Sequence, residues 1–303
     1  MKIVSFLPPN STSPPHHGAL VSDGREIVDF DAAGVDLPER GGPFDWLDLA
    51  GPAHRAAAAL IAEVHTDASR LDSLRTAGAV LERAAVQLTS PVPRPGKVLC
   101  IGLNYRDHAE ESGMDIPKRP LVFSKFSTSV VGPGEAVQLP PGATENDYEA
   151  ELGVVIGRTA KHVSEADALD YVLGYTNIND VSARDFQFAD GQWQRGKSPD
   201  TFCPVGEFIA TKEEIPDPEK LRIRLRLNGE TMQDSNTDQL IFGIAQLVSF
   251  LSTFTTLEPG DLIATGTPPG VGFARKPPVY IHAGDRMEVE IEGLGILSNP
   301  VIE

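Results

Sequence analysis

Residues 221–227, with the sequence LRIRLRL, alternate apolar and basic side chains and lead directly into Asn228 and Gly229. In a β-strand, such alternation places the apolar side chains on one face and the arginines on the other. Asn followed by Gly suits the two positive-φ positions of a type I′ turn. The segment therefore predicts a β-hairpin and commits this part of the chain to antiparallel sheet.

Other short segments, several of them bounded by Gly or Pro, also predict strands. They are LVFSKF (121–126), ELGVVI (151–156), GYTNIND (174–180), DLIATG (261–266) and MEVEIE (287–292). Helices are predicted over residues 164–172, where Ser164 would cap the helix and Asp167 would complete a capping box, and over residues 239–254. The predicted fold class is mixed α/β, mainly β.

The first 90 residues have the pattern of a small α+β unit. MKIVSF and REIVDF predict strands, the second after a turn at 22–24, and an alanine-rich helical region begins near Ala53. Three prolines between residues 90 and 96 precede the strand-like segment 97–101 and cannot continue a helix. We therefore predict a small N-terminal domain over residues 1–90 and a larger domain over residues 97–303.

The chain is strongly acidic, with 43 acidic and 26 basic residues and a net charge of -17. This charge repels phosphate backbones and anionic lipid surfaces, so it argues against nucleic acid or membrane partners. An anionic substrate requires a metal ion or a local basic residue to reverse the sign inside its site.

Two further sequence features bear on the cellular compartment. No run approaches the ~18 apolar residues of a membrane span, and the start MKIVSFLPPN lacks the pattern of a signal peptide, which predicts a cytoplasmic protein. Cys100 and Cys203 both lie in apolar surroundings, which predicts a packing role rather than a disulfide or a zinc site.

A group of carboxylates is the first candidate for chemistry. If NDYEAELGVVIG (146–157) is a strand, Glu149 and Glu151 share one face about 7 Å apart. Asp180 ends the strand-like GYTNIND and can reach the same point from a neighbouring strand. Three oxygen ligands without nearby His or Cys favour Mg²⁺ or Mn²⁺, and Ca²⁺ also suits them. The alternative is that the two glutamates form the solvated face of an ordinary strand.

His108 and Glu111 are the second candidate. They are three residues apart in a short predicted helix after the strand-like segment 97–101, so the carboxylate can orient the imidazole, which would then remove a proton from water or from a carbon acid. The alternative is an ion pair on the helix surface.

Two loop-like segments contain further polar candidates. Lys197 and the glycine-rich stretch around Thr267 would bind a substrate carboxylate or a developing oxyanion, unless both belong to solvated loops. His16 and His17 have no further ligand nearby in the sequence and are predicted to lie on the surface. No phosphate-binding loop and no dinucleotide-binding glycine pattern is present.

Six motifs in a fixed order resemble the fumarylacetoacetate hydrolase family. They are GLNYRDHAEE, DYEAELGVVIG, GYTNINDVSARDFQ, GKSPDTFCPVG, LNGE and LIATGTPPGVG, and the resemblance covers residues 97–303. It implies a β-sandwich roll for the catalytic domain, usually in a homodimer, with a divalent metal at the base of the pocket.

By motif, the resemblance also implies a role for each candidate residue. Glu149, Glu151 and Asp180 are similar to the metal ligands, and His108 with Glu111 is similar to a catalytic dyad. The remaining matches are Lys197, which is similar to a lysine that stabilises enolate or carboxylate oxygen, and Gln187 and Thr267, which match substrate contacts.

The function that follows is metal-dependent hydrolysis of a C–C bond in a 2-oxo or 1,3-dicarbonyl acid, such as an acylpyruvate or fumarylpyruvate. His108 would activate water, and a metal-stabilised enolate would leave. The same site suits a hydroxymuconate-type isomerase or decarboxylase, or an oxaloacetate decarboxylase. A metal-binding module without turnover is an alternative of a different class. A glycosidase is disfavoured because two neighbouring carboxylates on one strand do not flank a sugar bond.

Overall fold

The fold is taken from a computed structural model, which describes residues 1–9, 11, 14–37, 45–113, 115–189 and 191–303. The strands of these residues are, in chain order, β1 (Lys2–Leu7), β2 (His16–Val21), β3 (Glu26–Asp29), β4 (Val80–Glu82), β5 (Gln87–Thr89), β6 (Val98–Gly102), β7 (Leu121–Lys125), β8 (Val130–Val131), β9 (Val137–Gln138), β10 (Asn146–Asp147), β11 (Ala150–Ile156), β12 (Val172–Asn179), β13 (Ser182–Ala183), β14 (Cys203–Pro204), β15 (Ile209–Thr211), β16 (Arg222–Leu227), β17 (Glu230–Asn236), β18 (Leu262–Ala264), β19 (Arg286–Ile291) and β20 (Gly295–Ile302).

The α-helices of the described residues are fewer and mostly short. They are α1 (Pro52–Thr66), α2 (Ala68–Thr76), α3 (Arg106–Ser112), α4 (Arg184–Ala189), α5 (Gln194–Lys197) and α6 (Ile244–Phe254). Helix α1 begins with Pro52, whose fixed φ suits the first helical position, and buries Ala57, Leu60, Ile61 and Val64 at helical spacing. None of the helices in the described part of the chain is long and apolar enough to cross a membrane.

A large mixed sheet forms the centre of the molecule. Its strands lie in the order β4-β3-β2-β1-β15-β12-β11-β18-β6-β7, with β5 paired to β1. Every residue of β11 and of β12 is buried, as expected for strands in the middle of a sheet with both faces covered. These two strands are antiparallel neighbours and carry the candidate metal ligands at or beside their ends.

A second sheet, in the order β17-β16-β19-β20-β9, packs against the first. Its β16–β17 hairpin confirms the prediction from LRIRLRLNG. Asn228 and Gly229 have φ values of 53° and 83°, and the apolar residues of β16 are buried while its arginines face outward. The two packed sheets and the few helices confirm the mixed, mainly β fold class.

The two helix predictions were only partly right. Residues 164–172 form a 3-10 turn, Ala168–Tyr171, although Ser164 Oγ does donate to Asp167 Oδ2 at 2.6 Å. The chain must be extended again by Val172, the first residue of β12, which leaves no room for an α-helix.

In the second predicted helix, α6 begins at Ile244 rather than at Gln239. The backbone N–H groups of Ile241 and Phe242 donate instead to the main chain and the side chain of Asn104, each at 2.8 Å, so they are not available to a helix.

The first 90 residues join the large sheet rather than forming a separate one. Strand β1 pairs with β15, so β1 to β5 extend the sheet that contains β11 and β12. The division into two domains stays a prediction. Cys100 and Cys203 are free thiols buried in the core.

The surface placement predicted for His17 was wrong, because it is buried on β2 and lies 2.9 Å from Ser5 Oγ. His16 is partly buried, and its Nδ1 lies 2.7 Å from Asp29 Oδ2. The pairing of β2 with β3 brings the carboxylates of Asp29 and Asp31 close to His16. The sequence-based expectation that His16 has no further metal ligand nearby was therefore wrong.

Candidate metal centre

The three candidate carboxylates are brought together by the pairing of β11 with β12. Ala150 lies opposite Asn179 and the strands run antiparallel, so the residue before β11 meets the residue after β12. These residues are Glu149 and Asp180, and the Asp180 N–H donates to the Glu149 carbonyl at 2.8 Å. Carboxylate oxygens of Glu149, Glu151 and Asp180 all lie within 4.8 Å of one another. One cation can therefore contact all three side chains.

The burial of these carboxylates excludes the alternative of a solvated strand face. The exposed fractions of Glu149, Glu151 and Asp180 are 8%, 1% and 0%. A buried carboxylate is strongly unfavourable unless it is paired, protonated or bound to a metal. The site must therefore supply compensating positive charge.

Two buried lysines supply part of that charge. Lys197 Nζ donates to Glu149 Oε2 at 2.7 Å and to Asp180 Oδ2 at 2.8 Å. Lys125 Nζ donates to Asp180 Oδ1 at 2.5 Å and to the Val181 carbonyl at 2.9 Å. Although burial opposes protonation, the neighbouring Asp180 and Glu149 raise the pKa of the Lys197 ammonium. Lys197 is thus a buried cation of the site rather than a residue of a solvated loop.

The position of Lys197 depends on the glycine before it. A Cβ at Gly196 would lie 2.5 Å from the backbone nitrogen of Gln187 and 2.6 Å from the Ala183 carbonyl oxygen. Only glycine allows α5 to pack this closely on the α4 segment. The close packing carries Lys197 to the carboxylates.

Arg184 supplies the third positive charge. Its guanidinium donates to Glu149 Oε1 at 2.7 Å and to Asp147 Oδ2 at 2.8 Å and 3.0 Å. It also donates to Gln187 Oε1 at 3.0 Å, which fixes the side chain of that predicted substrate contact. Burial tends to raise the pKa of Glu149, but Lys197 and Arg184 outweigh it and lower the pKa to about 2.

Glu151 is the exception among the buried acids. Its Oε2 accepts the N–H of Gly266 at 2.8 Å, but none of the lysines and arginines in the described ranges forms an ion pair with it. Burial raises the pKa of Glu151 well above its usual value, and the nearby Asp180 and Glu149 raise it further. Gly266 has a φ of 110°, a conformation that favours glycine and directs its N–H toward the carboxylate.

This arrangement fits a hard divalent cation. Three carboxylates from two neighbouring strands offer oxygen ligands on one side, and no basic side chain in the described ranges forms an ion pair with Glu151. Oxygen-only ligand sets of this kind suit Mg²⁺ or Mn²⁺ better than zinc. The cluster is the candidate metal centre of the chain.

His108 and Glu111 lie on α3, which begins after the bend at Leu103 and Asn104. His108 Nδ1 lies 3.4 Å from Glu111 Oε2, and the Glu111 carboxylate accepts the N–H of Gly270 at 3.1 and 3.2 Å. His108 is 8% exposed, so the interpretation as an ion pair on the helix surface was wrong for the imidazole. The structure holds this histidine at the inner side of its helix.

Thr267 is also buried, in the segment that follows β18. Its Oγ1 accepts a hydrogen bond from Gln233 Nε2 at 2.8 Å. Thr267 directly follows Gly266, so the hydroxyl lies one residue from the backbone group that holds Glu151. The glycine-rich segment is therefore a wall of the candidate site rather than a solvated loop.

Four site residues were not predicted from the sequence. They are Asp147, Lys125, Arg184 and Gln233. The available signal for Lys125 was its place within the apolar strand LVFSKF, and that for Arg184 was its place in the motif ARDFQ. Asp147 continues the spacing of Glu149 and Glu151 within the motif DYEAE, a signal that was passed over. Gln233 carries no comparable local signal, because its importance depends on partners distant in the sequence.

Comparison with known proteins decides the family. The C-terminal domain of fumarylacetoacetate (FAA) hydrolase matches residues 97–302, more than half of the chain. The chain belongs to the fumarylacetoacetate hydrolase family. The resemblance inferred from the six motifs is thus confirmed, and the protein is an enzyme of this family.

Relatives within the family match over the full length. An oxaloacetate tautomerase from Xenopus laevis mitochondria is 43% identical over all of this chain and 90% of its own length. A solved 5-carboxymethyl-2-hydroxymuconate delta-isomerase from Mycobacterium smegmatis is 33% identical, with a TM-score of 0.75 over 100% of this chain and 99% of that one. A fumarylacetoacetate hydrolase from Exiguobacterium antarcticum is 32% identical, with a TM-score of 0.77 over the same shares.

Proposed function

We propose that this family member holds one divalent cation on Glu149, Glu151 and Asp180 and catalyses proton transfer next to the keto group of a small 2-oxo dicarboxylic acid. Keto–enol tautomerisation of an oxaloacetate-type acid is the reaction best supported. The observation that carries the proposal is the buried carboxylate cluster in which Glu151 has no basic partner among the described residues. Mg²⁺ and Mn²⁺ are the proposed ions, and Ca²⁺ also satisfies an oxygen-only site.

The local charge explains how an acidic protein would accept an acidic substrate. Four carboxylates and three basic side chains surround the site, so the site carries one excess negative charge when all seven groups are ionised. The seven residues are Asp147, Glu149, Glu151, Asp180, Lys125, Arg184 and Lys197. A divalent cation reverses the sign of this charge and makes the site attractive to a dianion.

The bound cation would supply Lewis-acid stabilisation of an enolate oxygen. Lys197 has three ammonium protons, of which two are donated to Glu149 and Asp180. Its Nζ also lies 4.8 Å from the centroid of the Phe123 ring, and the third proton would be donated to a substrate oxygen bound beside that ring. Glu111 lies beside Nδ1 of His108, which leaves Nε2 as the nitrogen that accepts and returns a proton. Tautomerisation moves one proton between carbon and oxygen, and it consumes no water.

The relatives support this choice of reaction. The Xenopus laevis relative is named as an oxaloacetate tautomerase, and the Mycobacterium smegmatis structure is named as an isomerase. Both reaction types rearrange a substrate without changing its atoms. A site built from an enolate-stabilising cation and one acid–base residue is sufficient for such a rearrangement.

Hydrolysis of a C–C bond in an acylpyruvate or fumarylpyruvate is the second candidate. The observation that favours it is the contact between His108 and Glu111, since an oriented imidazole can also deprotonate water. Water would attack the distal carbonyl, the C–C bond would break, and two carboxylic acids would form. Loss of CO₂ from oxaloacetate would use the same stabilised enolate.

One set of assays distinguishes these reactions. Oxaloacetate, an acylpyruvate and a hydroxymuconate-type diacid are each offered to the enzyme with Mg²⁺, with Mn²⁺ and with a chelator. We expect rapid loss of the ultraviolet absorbance of enol-oxaloacetate, before any pyruvate forms, and no acceleration in chelator. Cleavage of the acylpyruvate without acceleration of the tautomerisation would favour the hydrolase instead.

A variant tests the acid–base residue. His108→Ala should slow the proton transfer by ~100-fold or more while metal affinity stays within about twofold, because general acid–base catalysis contributes roughly that factor. Glu165→Gln, a change at an exposed residue, is the matched control. Full activity in His108→Ala would remove this histidine from the mechanism.

We further propose that the enzyme is a homodimer, as the family resemblance implies. Exposed apolar side chains are present on the isolated chain, among them Phe188, Phe273 and Ile302. Light scattering after size exclusion should give twice the chain mass of 32.5 kDa. A monomer at micromolar concentration would contradict this part of the proposal.

A further inference from the structure

Gln233 joins two walls of the candidate metal centre. It lies on β17 and is 1% exposed. Its Oε1 accepts the N–H of Ala150, the residue between Glu149 and Glu151, at 2.9 Å. Its Nε2 donates to Thr267 Oγ1 and to the Pro268 carbonyl, each at 2.8 Å. The amide therefore uses both of its ends and both of its N–H protons.

The orientation of this amide is fixed by backbone groups. In the flipped orientation, Oε1 would face the Pro268 carbonyl and Nε2 would face the Ala150 N–H. Two like groups would then oppose each other at both ends, and a main-chain N–H or carbonyl cannot exchange its role. Gln233 must consequently donate toward Thr267, and the Thr267 oxygen must accept.

This fixes what Thr267 can offer to a substrate. A hydroxyl has one proton, and none of the residues described here accepts a hydrogen bond from Thr267 Oγ1. The proton is thus left to an external partner. Thr267 is 6% exposed and follows Gly266, whose N–H holds Glu151, so this donor lies beside the carboxylate cluster.

We infer that Gln233 is a positioning residue that makes the Thr267 hydroxyl a hydrogen-bond donor, and that the substrate atom bound there is a carboxylate, carbonyl or enolate oxygen. A ligand N–H or O–H that used the second lone pair of Thr267 Oγ1 would leave the hydroxyl proton without an acceptor. The inference deepens the proposed function, on which it rests for the class of substrate.

A double-mutant cycle tests the inference with oxalate as the probe. Oxalate is titrated calorimetrically into the Mn²⁺-loaded enzyme in four forms: wild type, Thr267→Val, Gln233→Glu and the double variant. Val removes the donor at nearly constant shape. Glu at position 233 retains an acceptor for the Ala150 N–H but replaces the amide donor with an acceptor, which turns the Thr267 proton toward itself and leaves the Pro268 carbonyl without its donor.

We expect Thr267→Val to weaken oxalate binding by roughly tenfold or more in the wild-type background, because a hydrogen bond to a charged oxygen is lost. In the Gln233→Glu background the same change should have less than a twofold effect, since the donor has already been withdrawn. Thr267→Ser should stay within about threefold of wild type. Mn²⁺ affinity, measured without oxalate, should be unchanged by Thr267→Val.

If Thr267→Val weakens oxalate binding equally in both backgrounds, the inference is overturned. Equal weakening would mean that the charge added by Gln233→Glu acts independently of the Thr267 hydroxyl. No effect in the wild-type background would also overturn it, as would a wild-type enzyme that binds no oxalate. If Gln233→Glu does not fold, the cycle is repeated with Gln233→Met, where the Thr267→Val effect should be smaller than in wild type. Oxalate binding without turnover of oxaloacetate contradicts the proposed reaction but leaves this cycle valid.

Discussion

Replacing Glu151 by Gln should have opposite effects on stability with and without metal. Without metal, the folded protein raises the pKa of Glu151 above the unfolded value of 4.5, so stability is lost as the pH rises through 4.5 toward the folded pKa. Each pH unit of this loss is worth about 1.4 kcal/mol, which limits the total at pH 7 to about 3 kcal/mol. Gln removes this loss and still accepts the Gly266 N–H.

The variant should therefore be more stable than wild type in chelator. The second end of the Gln amide gains no hydrogen-bond partner, which costs about 1 kcal/mol, so the net gain is at most about 2 kcal/mol. For a chain of 303 residues, about 2 kcal/mol corresponds to roughly 3 °C in Tm. The gain should vanish as the pH falls below 4.5, where Glu151 is protonated in both the folded and the unfolded states.

With metal, the order should reverse. At a concentration about 100 times the Kd, a cation that binds the folded state stabilises wild type by about 2.7 kcal/mol. Glu151→Gln has lost one of three carboxylate ligands and should gain much less. Scanning fluorimetry should thus give the higher Tm for Glu151→Gln in EDTA and the higher Tm for wild type in MnCl₂.

Glu165→Gln, at an exposed position, is the control and should follow wild type in both conditions. A Glu151→Gln protein that gains as much from Mn²⁺ as wild type would show that this carboxylate is not a ligand. A variant less stable than wild type in EDTA at pH 7 would show that the charge of Glu151 is compensated by something other than a cation.

Three further results are expected. Calorimetric binding of Mn²⁺ should release the proton that the raised pKa favours on Glu151, so the apparent enthalpy should vary with the ionisation enthalpy of the buffer and affinity should rise with pH. Identical enthalpies in two buffers would contradict this. Lys125→Met removes one of the ammonium partners of the buried Asp180 and should lower the free energy of unfolding in urea by about 3–5 kcal/mol. Lys220→Met, which breaks an exposed ion pair, is the control and should have no measurable effect. Similar effects of both variants would refute the role assigned to Lys125. Gly229→Ala should lower the free energy of unfolding in urea by about 1 kcal/mol, because alanine is strained at the φ of 83°. An unchanged urea midpoint would argue against the type I′ turn.

The parts of the fold that the sequence predicts well are those with local causes. The β16–β17 hairpin follows from alternation and from Asn228-Gly229, both of which act within a few residues. The helix predicted over residues 164–172 fails because the next strand, β12, is fixed by distant partners in the large sheet. Local capping signals at Ser164 and Asp167 were present, and they stabilise a turn instead.

The same division applies to the site. Glu149, Glu151 and Asp180 can be predicted from the sequence, because the strand pattern offers them as possible ligands and the six-motif resemblance matches them to the metal ligands of a family. Their spacing alone leaves the solvated strand face equally open. Lys125 cannot, since its burial depends on an ion pair with a residue 55 positions away. Gln233 likewise depends on Ala150, 83 positions away. Sequence patterns report faces of strands and helices, but they do not report which buried polar groups will meet.

The most direct test of the metal centre is diffraction from crystals soaked in Mn²⁺, recorded at the manganese absorption edge. We predict one strong anomalous peak at about 2.0–2.3 Å from an oxygen of each of Glu149, Glu151 and Asp180, at the distances usual for hard cations. No peak at this cluster at millimolar Mn²⁺, or a peak only beside His16 and Asp29, would contradict the account.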